Sequence, residues 1–86
     1  MWPSAPRMIL EYIDQALRRA KLEQHEDGIY CASVPGLRGV IATGRTRREC
    51  RDELSEVVEE WVLVRVSKSL PIPPLGRTRI SIGRRG

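Results

Sequence analysis

The segment from Gly39 to Thr46 has the outline of a phosphate-binding P-loop, with Arg45 where that motif requires lysine. A P-loop needs a glycine-rich backbone that is free to wrap around phosphate groups after a strand. Here the four residues between Gly39 and Gly44 are Val, Ile, Ala and Thr, which together favour a strand. The segment therefore predicts a strand, a turn and a helix start rather than a nucleotide site.

The remaining reactive side chains do not indicate a catalytic or metal centre. His25 is the only histidine, and it could act as a general base only beside a serine or cysteine that the spacing does not provide. We interpret it as a solvated turn residue. Cys31 and Cys50 are far apart and form no C-x-x-C pair, so we interpret both as small buried side chains. We expect no enzymatic activity, no metal and no cofactor.

Residues 49 to 60 carry six acidic side chains against the single Arg51, a net charge of −5. Asp52, Glu56 and Glu60 follow one another at steps of four, which places them in one row along a helix. We call these three residues the acidic row. It is either a solvated helix face or a docking surface for a basic partner, since complementary potentials speed association and set specificity. The three carboxylates are candidate partner-binding residues.

The positive excess of the chain, a net charge of +4, lies near its C-terminus. Residues 67 to 86 carry five basic and no acidic side chains, whereas residues 1 to 66 carry ten basic and eleven acidic ones. The basic tail provides four candidate nucleic-acid contacts, namely Arg77, Arg79, Arg84 and Arg85. The tail is short and poor in aromatic side chains, so it is not a complete nucleic-acid-binding module.

A helix and a meander of three strands precede the acidic segment. The predicted elements are a helix over residues 8 to 19 and strands over residues 22 to 26, 29 to 34 and 40 to 43. The helix follows from apolar residues at steps of three and four. Asp27-Gly28 is typical of a hairpin turn, and the turn at Pro35 to Gly39 separates the second and third strands.

A capping box at Thr46 and Glu49 starts a long second helix. In this motif the Thr46 hydroxyl accepts the N–H of Glu49, and the Glu49 carboxylate reaches back to the N–H of Thr46. Apolar residues continue the helical period to about Val66, which predicts that Trp61 is buried on the sheet. Prolines then forbid continuation of the helix, and alternation from Thr78 to Ile82 predicts a fourth, edge strand.

The expected fold class is therefore α+β, a small four-stranded sheet packed by two helices in the order α-β-β-β-α-β. We expect one domain over residues 1–86, with an irregular lead over residues 1–7 and a basic tail over residues 83–86. A chain this short buries only about 60% of its unfolded surface. Because its edge strand would also need a cover, we expect a homodimer or a higher even oligomer.

Neither a membrane segment nor a signal peptide is expected. The longest run without a charged residue has ten residues, 28 to 37, where a membrane helix needs about 20. Residues 1–7 lack the basic start and apolar run of a signal peptide. We therefore expect a cytoplasmic protein.

Three groups of residues together resemble the HicB-type antitoxin domain. The second strand ends in a Pro-x-Leu-x-Gly pattern, Pro35-Gly36-Leu37-Arg38-Gly39. The long helix is entered through Gly44-Arg45-Thr46 and Glu49. Further along come Trp61 and the exit Leu70-Pro71-Ile72-Pro73. The resemblance covers about residues 20 to 82, with Cys50 in place of the alanine that is usual after the capping glutamate.

The resemblance implies a truncated ribonuclease-H-like fold without catalytic carboxylates. It also implies a bacterial antitoxin, whose partner is a small HicA-type toxin that cleaves RNA. Many such antitoxins carry a C-terminal DNA-binding segment, whereas only residues 83–86 follow Ile82 here, which argues against direct DNA binding. We therefore expect a non-enzymatic module that binds and neutralises such a toxin. The alternative is a small homo-oligomeric nucleic-acid-binding protein that uses its basic tail.

Overall fold

The computed structural model describes residues 7–75, which contain two helices and a three-stranded antiparallel sheet. In chain order these are α1 (Arg7–Arg19), β1 (Lys21–Gln24), β2 (Tyr30–Ser33), β3 (Ile41–Gly44) and α2 (Arg47–Ser67). The α+β class and the first five predicted elements are confirmed. The predicted fourth strand, Thr78 to Ile82, and the tail over residues 83–86 lie outside the described residues. So does the predicted lead, except for Arg7, with which α1 begins.

The amphipathic helix α1 places its apolar side in the core. Tyr12, Ile13 and Ala16 are buried, at the steps of one, three and four residues that share a helix face. On the solvent side, Arg18 Nε lies 2.8 Å from Asp14 Oδ2. Both side chains of this pair are exposed, so it contributes less than about 1 kcal/mol. Burial, rather than this ion pair, fixes α1 in place.

The three strands lie in the order β1-β2-β3, and one face of the sheet is covered by α2. Leu22, Ala32 and Ala42 are opposite one another in the register, and they therefore share that covered face. Ala32 and Ala42 are buried, and their small side chains allow the helix to approach closely. Ser33 and Ile41 form a neighbouring pair that points the other way and is exposed.

The hairpin predicted at Asp27-Gly28 is confirmed, with a connection over residues 25–29. Gly28 has a φ of +87°, a left-handed conformation that glycine adopts without strain. The backbone N–H of His25 donates to the carbonyl of Ile29 at 2.9 Å and closes the loop. This five-residue loop removes residues 25, 26 and 29 from the two predicted strands, and β2 also ends one residue early because Val34 begins the next turn.

The connection between β2 and β3 contributes to the core. It consists of two successive turns, in which the N–H of Leu37 donates to Val34 and the N–H of Val40 donates to Leu37. Gly36 and Gly39 are the third residues of these two turns and have positive φ angles of +94° and +83°. The side chains of Val34, Leu37 and Val40 are buried, so the Pro-x-Leu-x-Gly pattern serves both turning and packing.

The entry to α2 is a close approach that only glycine allows. A Cβ atom on Gly44 would lie 2.5 Å from the backbone nitrogen of Cys50. Thr46 is the N-cap, and its hydroxyl accepts the N–H of Glu49 at 3.0 Å, as predicted. The other half of the predicted capping box is wrong. The Glu49 carboxylate accepts from the N–H of Arg45, at 3.0 Å, because the extended backbone of Thr46 brings that preceding N–H within reach.

The buried side of α2 is a row at steps of four, made up of Cys50, Leu54, Val58 and Val62. Trp61, predicted to be buried on the sheet, is only partly buried and packs at the margin of the core. Two facts explain why Trp61 is only partly buried. Steps of four advance about 40° around the helix axis, so the buried direction drifts from Trp61 towards Val62. Moreover, α2 is about 31 Å long, whereas strands of four residues span about 13 Å, so its C-terminal half extends past the sheet.

The C-terminus of α2 is a Schellman turn. The N–H of Leu70 donates to the carbonyl of Arg65 at 2.8 Å, and the N–H of Ser69 donates to that of Val66 at 3.1 Å. Ser69 has a φ of +56°, at a position where glycine is usual. The turn that ends the helix therefore holds Ser69 in a backbone conformation that costs some free energy for a residue with a side chain.

The proline-rich exit closes one side of the core. It has no regular structure over residues 70–74, as its prolines predict. Ile72 and Leu75 are buried, and the Tyr12 hydroxyl donates to the carbonyl of Pro73. The exit is therefore tied to α1. Within residues 7–75, neither helix has the length and apolarity needed to cross a membrane.

Candidate functional site

The acidic row lies on the solvent side of α2. Asp52, Glu56 and Glu60 are all exposed, and none is paired with a basic side chain elsewhere in the described part of the chain. Neighbouring carboxylates are one helical turn apart, and such like-charge pairs cost a few tenths of a kcal/mol each. The row is therefore a stripe of negative potential that favours the approach of basic groups.

A shallow groove of about 440 Å³ lies beside the acidic row, on the C-terminal half of α2. We call it the α2 groove, and its lining residues are Val57, Glu60, Trp61, Val64, Arg65 and Leu70. Four of these six side chains are apolar, and Val64 and Leu70 are exposed at 46% and 39%. Glu60 belongs to both features. The negative stripe therefore leads directly into an open apolar depression.

Arg65 and Trp61 form a stacked pair in the α2 groove. The guanidinium carbon of Arg65 lies 4.6 Å from the centre of the Trp61 ring, within the range of a cation–π contact. Arg65 Nε is buried and has no hydrogen-bond acceptor among the described residues. A donor of this kind is costly to leave unpaired. Because the Nε atom has almost no accessible surface, it does not itself face the open groove.

The phenol of Tyr12 lies on the core side of the same region. Burial raises the pKa of Tyr12 to about 12, and the positive charge of Arg65 opposes that rise. Tyr12 is completely buried and its hydroxyl donates to Pro73, so it serves the packing of the exit against α1. It has no exposed surface with which to act on a substrate.

The segment that imitates a P-loop forms a strand and a helix cap, as the sequence predicts. Ala42 is buried in β3 and paired with Ala32, so this backbone belongs to the sheet. Arg45 is exposed, and its backbone N–H is bonded to Glu49. The guanidinium of the neighbouring Arg47 lies 5.7 Å from the Tyr30 ring. These contacts give the segment a structural role in the sheet and at the start of α2.

The histidine and the two cysteines are not brought together. His25 is exposed in the loop after β1, as expected for a solvated turn residue. Cys50 is completely buried, and burial raises the pKa of its thiol. Cys31, expected to be buried, is only partly so, because it lies on the face of the sheet that α2 does not cover. No three metal-ligating side chains cluster within residues 7–75.

Of the two features of the candidate site, the acidic row and the α2 groove, sequence patterns predict only the first. They identify the acidic row but assign Trp61 and Val64 to the core, so the α2 groove is missed. One signal could have revealed it: a helix of about 31 Å is too long for strands of about 13 Å, so its last turns had to be partly uncovered. The four candidate arginines of the tail, Arg77, Arg79, Arg84 and Arg85, lie outside the described residues.

Comparisons with known proteins agree with this architecture. The model of a protein family described as UPF0150-like matches residues 11–73, which include all three strands and all of α2. A crystal structure of TTHA0281 from Thermus thermophilus is similar to the chain with a TM-score of 0.84 and 33% sequence identity. The similarity covers 93% of this chain and 100% of that one. No curated protein matches the chain.

Proposed function

The chain belongs to the UPF0150-like family, and from that premise we propose that it is a non-enzymatic module that binds and neutralises a small HicA-type toxin that cleaves RNA. The finer assignment, to HicB-type antitoxins, rests on the residues that resemble that domain. In the fold these residues hold structural positions: the turns at Gly36 and Gly39, the close approach at Gly44 and the cap at Thr46. These residues support a scaffold in common with HicB-type antitoxins. Binding a toxin also requires an exposed surface that can contact it.

The observation that carries the proposal is the exposed acidic row of α2. A toxin that binds RNA must present basic groups to the phosphates, and a fixed row of carboxylates can bind those basic groups in place of the phosphates. Asp52, Glu56 and Glu60 are exposed and lack ion-pair partners within residues 7–75. The row is also continuous with an apolar groove, and an apolar centre beside a charged rim is the usual composition of a specific interface.

The direct experiment is co-expression of the protein with the product of the adjacent gene. We expect the two to co-purify, and the adjacent product alone to cleave RNA in a manner that stoichiometric addition of this protein stops. The protein alone should not cleave RNA, and His25→Ala should change nothing. Failure of the adjacent product to bind would remove the antitoxin proposal. Ribonuclease turnover that is lost in His25→Ala would replace it with an enzymatic one.

The role of the acidic row is tested by changing Asp52, Glu56 and Glu60 together to glutamine. Exposed charges at an interface act mostly on association rate, so we expect slower association and a weaker dependence on salt. Stopped-flow mixing with the adjacent-gene product at low and moderate salt measures both. Equal rates and equal salt slopes for wild type and variant would make the row an ordinary solvated face.

A second candidate function is favoured by the distribution of charge. The five basic side chains and absence of acidic ones after residue 66 suit contact with nucleic acid by a homo-oligomer. Changing Arg77, Arg79, Arg84 and Arg85 to glutamine should then abolish salt-sensitive binding of a labelled duplex. Sedimentation at tens of micromolar, roughly where such dimers form, tests the proposed homodimer or higher even oligomer. A 9.8 kDa monomer would contradict it.

A further inference from the structure

The α2 groove has an apolar floor that the fold leaves uncovered within the described part of the chain. Val57 and Trp61 are partly buried against the core, and Val64 and Leu70 extend the same apolar surface outwards. The Schellman turn fixes Leu70 beside α2 through its N–H bond to Arg65. The groove therefore needs no rearrangement to receive an apolar side chain, and a preformed pocket saves the free energy of ordering it on binding.

The charges at the groove select what kind of segment can bring that side chain. Glu60 lies on the wall, and Glu56 lies one turn before it in the acidic row. A segment with lysine or arginine flanking an apolar residue would pair with these carboxylates, whereas an acidic segment would be repelled. Arg65 does not reverse this preference. Its guanidinium is stacked on Trp61, so its positive charge is already engaged by the face of that ring.

We propose that the α2 groove is the anchor site for a basic amphipathic segment of a protein partner, which inserts one apolar side chain between Trp61, Val64 and Leu70. This inference rests on the proposed function and assigns the affinity of the complex to the groove, with the acidic row as its steering rim. Buried apolar anchors with a polar rim carry most of the binding energy at protein interfaces. A second copy of this chain fits less well, because a symmetric contact between two such faces would bring both acidic rows together.

The test uses the full chain and a fluorescein-labelled helical peptide of about a dozen residues, with leucine at helical spacing and lysine elsewhere. An acidic twin carries glutamate in place of lysine. Fluorescence anisotropy should show binding of the basic peptide and none of the acidic twin. Absence of binding by the basic peptide, or equal binding of the two, would overturn the proposal.

Two aspartate variants separate the apolar anchor from simple charge attraction. Val64→Asp places a carboxylate in the groove, while Val66→Asp places the same charge on a residue that is 37% exposed and does not line it. We expect Val64→Asp to weaken peptide binding about fivefold or more, despite its added negative charge, and Val66→Asp to leave it unchanged or slightly stronger. Circular dichroism confirms folding of both. Equal affinity of the two variants would show that the groove does not anchor the peptide.

The rim is tested by a second matched pair, Glu60→Gln and Glu59→Gln. Both carboxylates are exposed, but only Glu60 lines the groove. We expect Glu60→Gln to weaken binding about threefold and to flatten its salt dependence, with a smaller effect from Glu59→Gln. The reverse order would contradict the proposed position of the segment.

Other occupants of the groove and failure of the proposed function give different results. Self-association of the wild type that Val64→Asp abolishes would assign the groove to a second copy. Peptide binding that appears only after the four tail arginines are changed to glutamine would assign it to the chain's own tail. Either result overturns the proposal. If the adjacent-gene product binds Val64→Asp as tightly as wild type, the groove is not the anchor site but the antitoxin function stands. If the basic peptide binds selectively and no adjacent-gene product binds at all, the groove is an anchor site but the antitoxin function fails.

Discussion

The two halves of α2 differ in what covers them. The N-terminal half is pressed onto β3 at Gly44, capped by Thr46 and buried through Cys50 and Leu54. The C-terminal half buries Val58 and Val62 but also carries apolar side chains that remain exposed, and the turn after it contains the strained Ser69. One continuous helix thus serves two purposes. Its first half determines where the helix enters the fold, and its second half adds an exposed apolar surface to the side chains that it buries.

The largest expected effect of a single change is at the entry to the first half. In Gly44→Ala the new methyl group would overlap the backbone of Cys50, which cannot move without displacing the whole first turn of α2. We expect a loss on the order of 4 kcal/mol in the free energy of unfolding, because the clash is with backbone rather than with a flexible side chain. Urea denaturation measures it. The control Thr43→Ala, at an exposed neighbour, should change stability by less than about 0.5 kcal/mol.

A matched pair of leucines compares the two halves directly. Leu54 is completely buried, whereas Leu63 is 44% exposed. Leu54→Ala should cost about 3 kcal/mol through lost burial and a residual cavity, and Leu63→Ala less than about 0.5 kcal/mol. Thermal and urea unfolding give both values. Similar losses for the two variants would contradict the division of the helix.

The contact of Tyr12 in α1 with the proline-rich exit that follows α2 should give a pH-dependent stability. Burial raises the pKa of Tyr12 to about 12, against about 10 in an unfolded chain. Above pH 10 the unfolded chain binds fewer protons than the folded one, so the free energy of unfolding falls as pH rises, by up to about 1.4 kcal/mol per pH unit until pH 12. Tyr12→Phe removes this contribution. The burial-raised pKa of Cys50 acts in the same direction but is present in both proteins, so it cancels from the comparison. Identical alkaline slopes would show that Tyr12 is not the group responsible.

The smallest expected effect is a gain in stability at the end of the second half. Ser69 adopts a left-handed backbone that costs a residue with a Cβ atom about 1 kcal/mol, so Ser69→Gly should stabilise the protein by up to that amount. Ser67, which is the last residue of α2, provides a control of opposite sign. Ser67→Gly should destabilise by about 0.5 kcal/mol, because glycine is a poor helix residue. Loss of stability in both variants would contradict the Schellman geometry.

Sequence patterns predict most of the fold because its boundaries are set by local chemistry. Thr46 and Glu49 have the spacing that is typical of a helix start, and Gly28, Gly36 and Gly39 mark turns through their backbone freedom. The capping contact to Arg45 could not be predicted, since it depends on the angle at which the chain enters α2. Local patterns specify elements more closely than the angles between them.

The candidate site is predictable only in part, for a related reason. The acidic row follows from a spacing of four, which is a property of the helix alone. Whether Trp61 and Val64 are buried depends on how far the sheet extends beneath them, which is a property of two elements together. Periodicity counts both as core because it assumes that an apolar stripe is covered along its whole length. The Tyr12 contact to Pro73 joins residues 61 positions apart and has no local pattern at all.

The overhang of α2 beyond the sheet also bears on how this protein can change over evolutionary time. Substitutions of exposed side chains cost little folding free energy, so Val64 and Leu70 at the α2 groove can vary while the core keeps the chain folded, whereas Val57 and Trp61 also pack on that core. Under the proposed function, changes to these few side chains would alter which partner binds without altering the scaffold. The mismatch between a helix of about 31 Å and strands of about 13 Å thus creates exposed positions where a substitution changes the surface of the molecule and leaves its core intact.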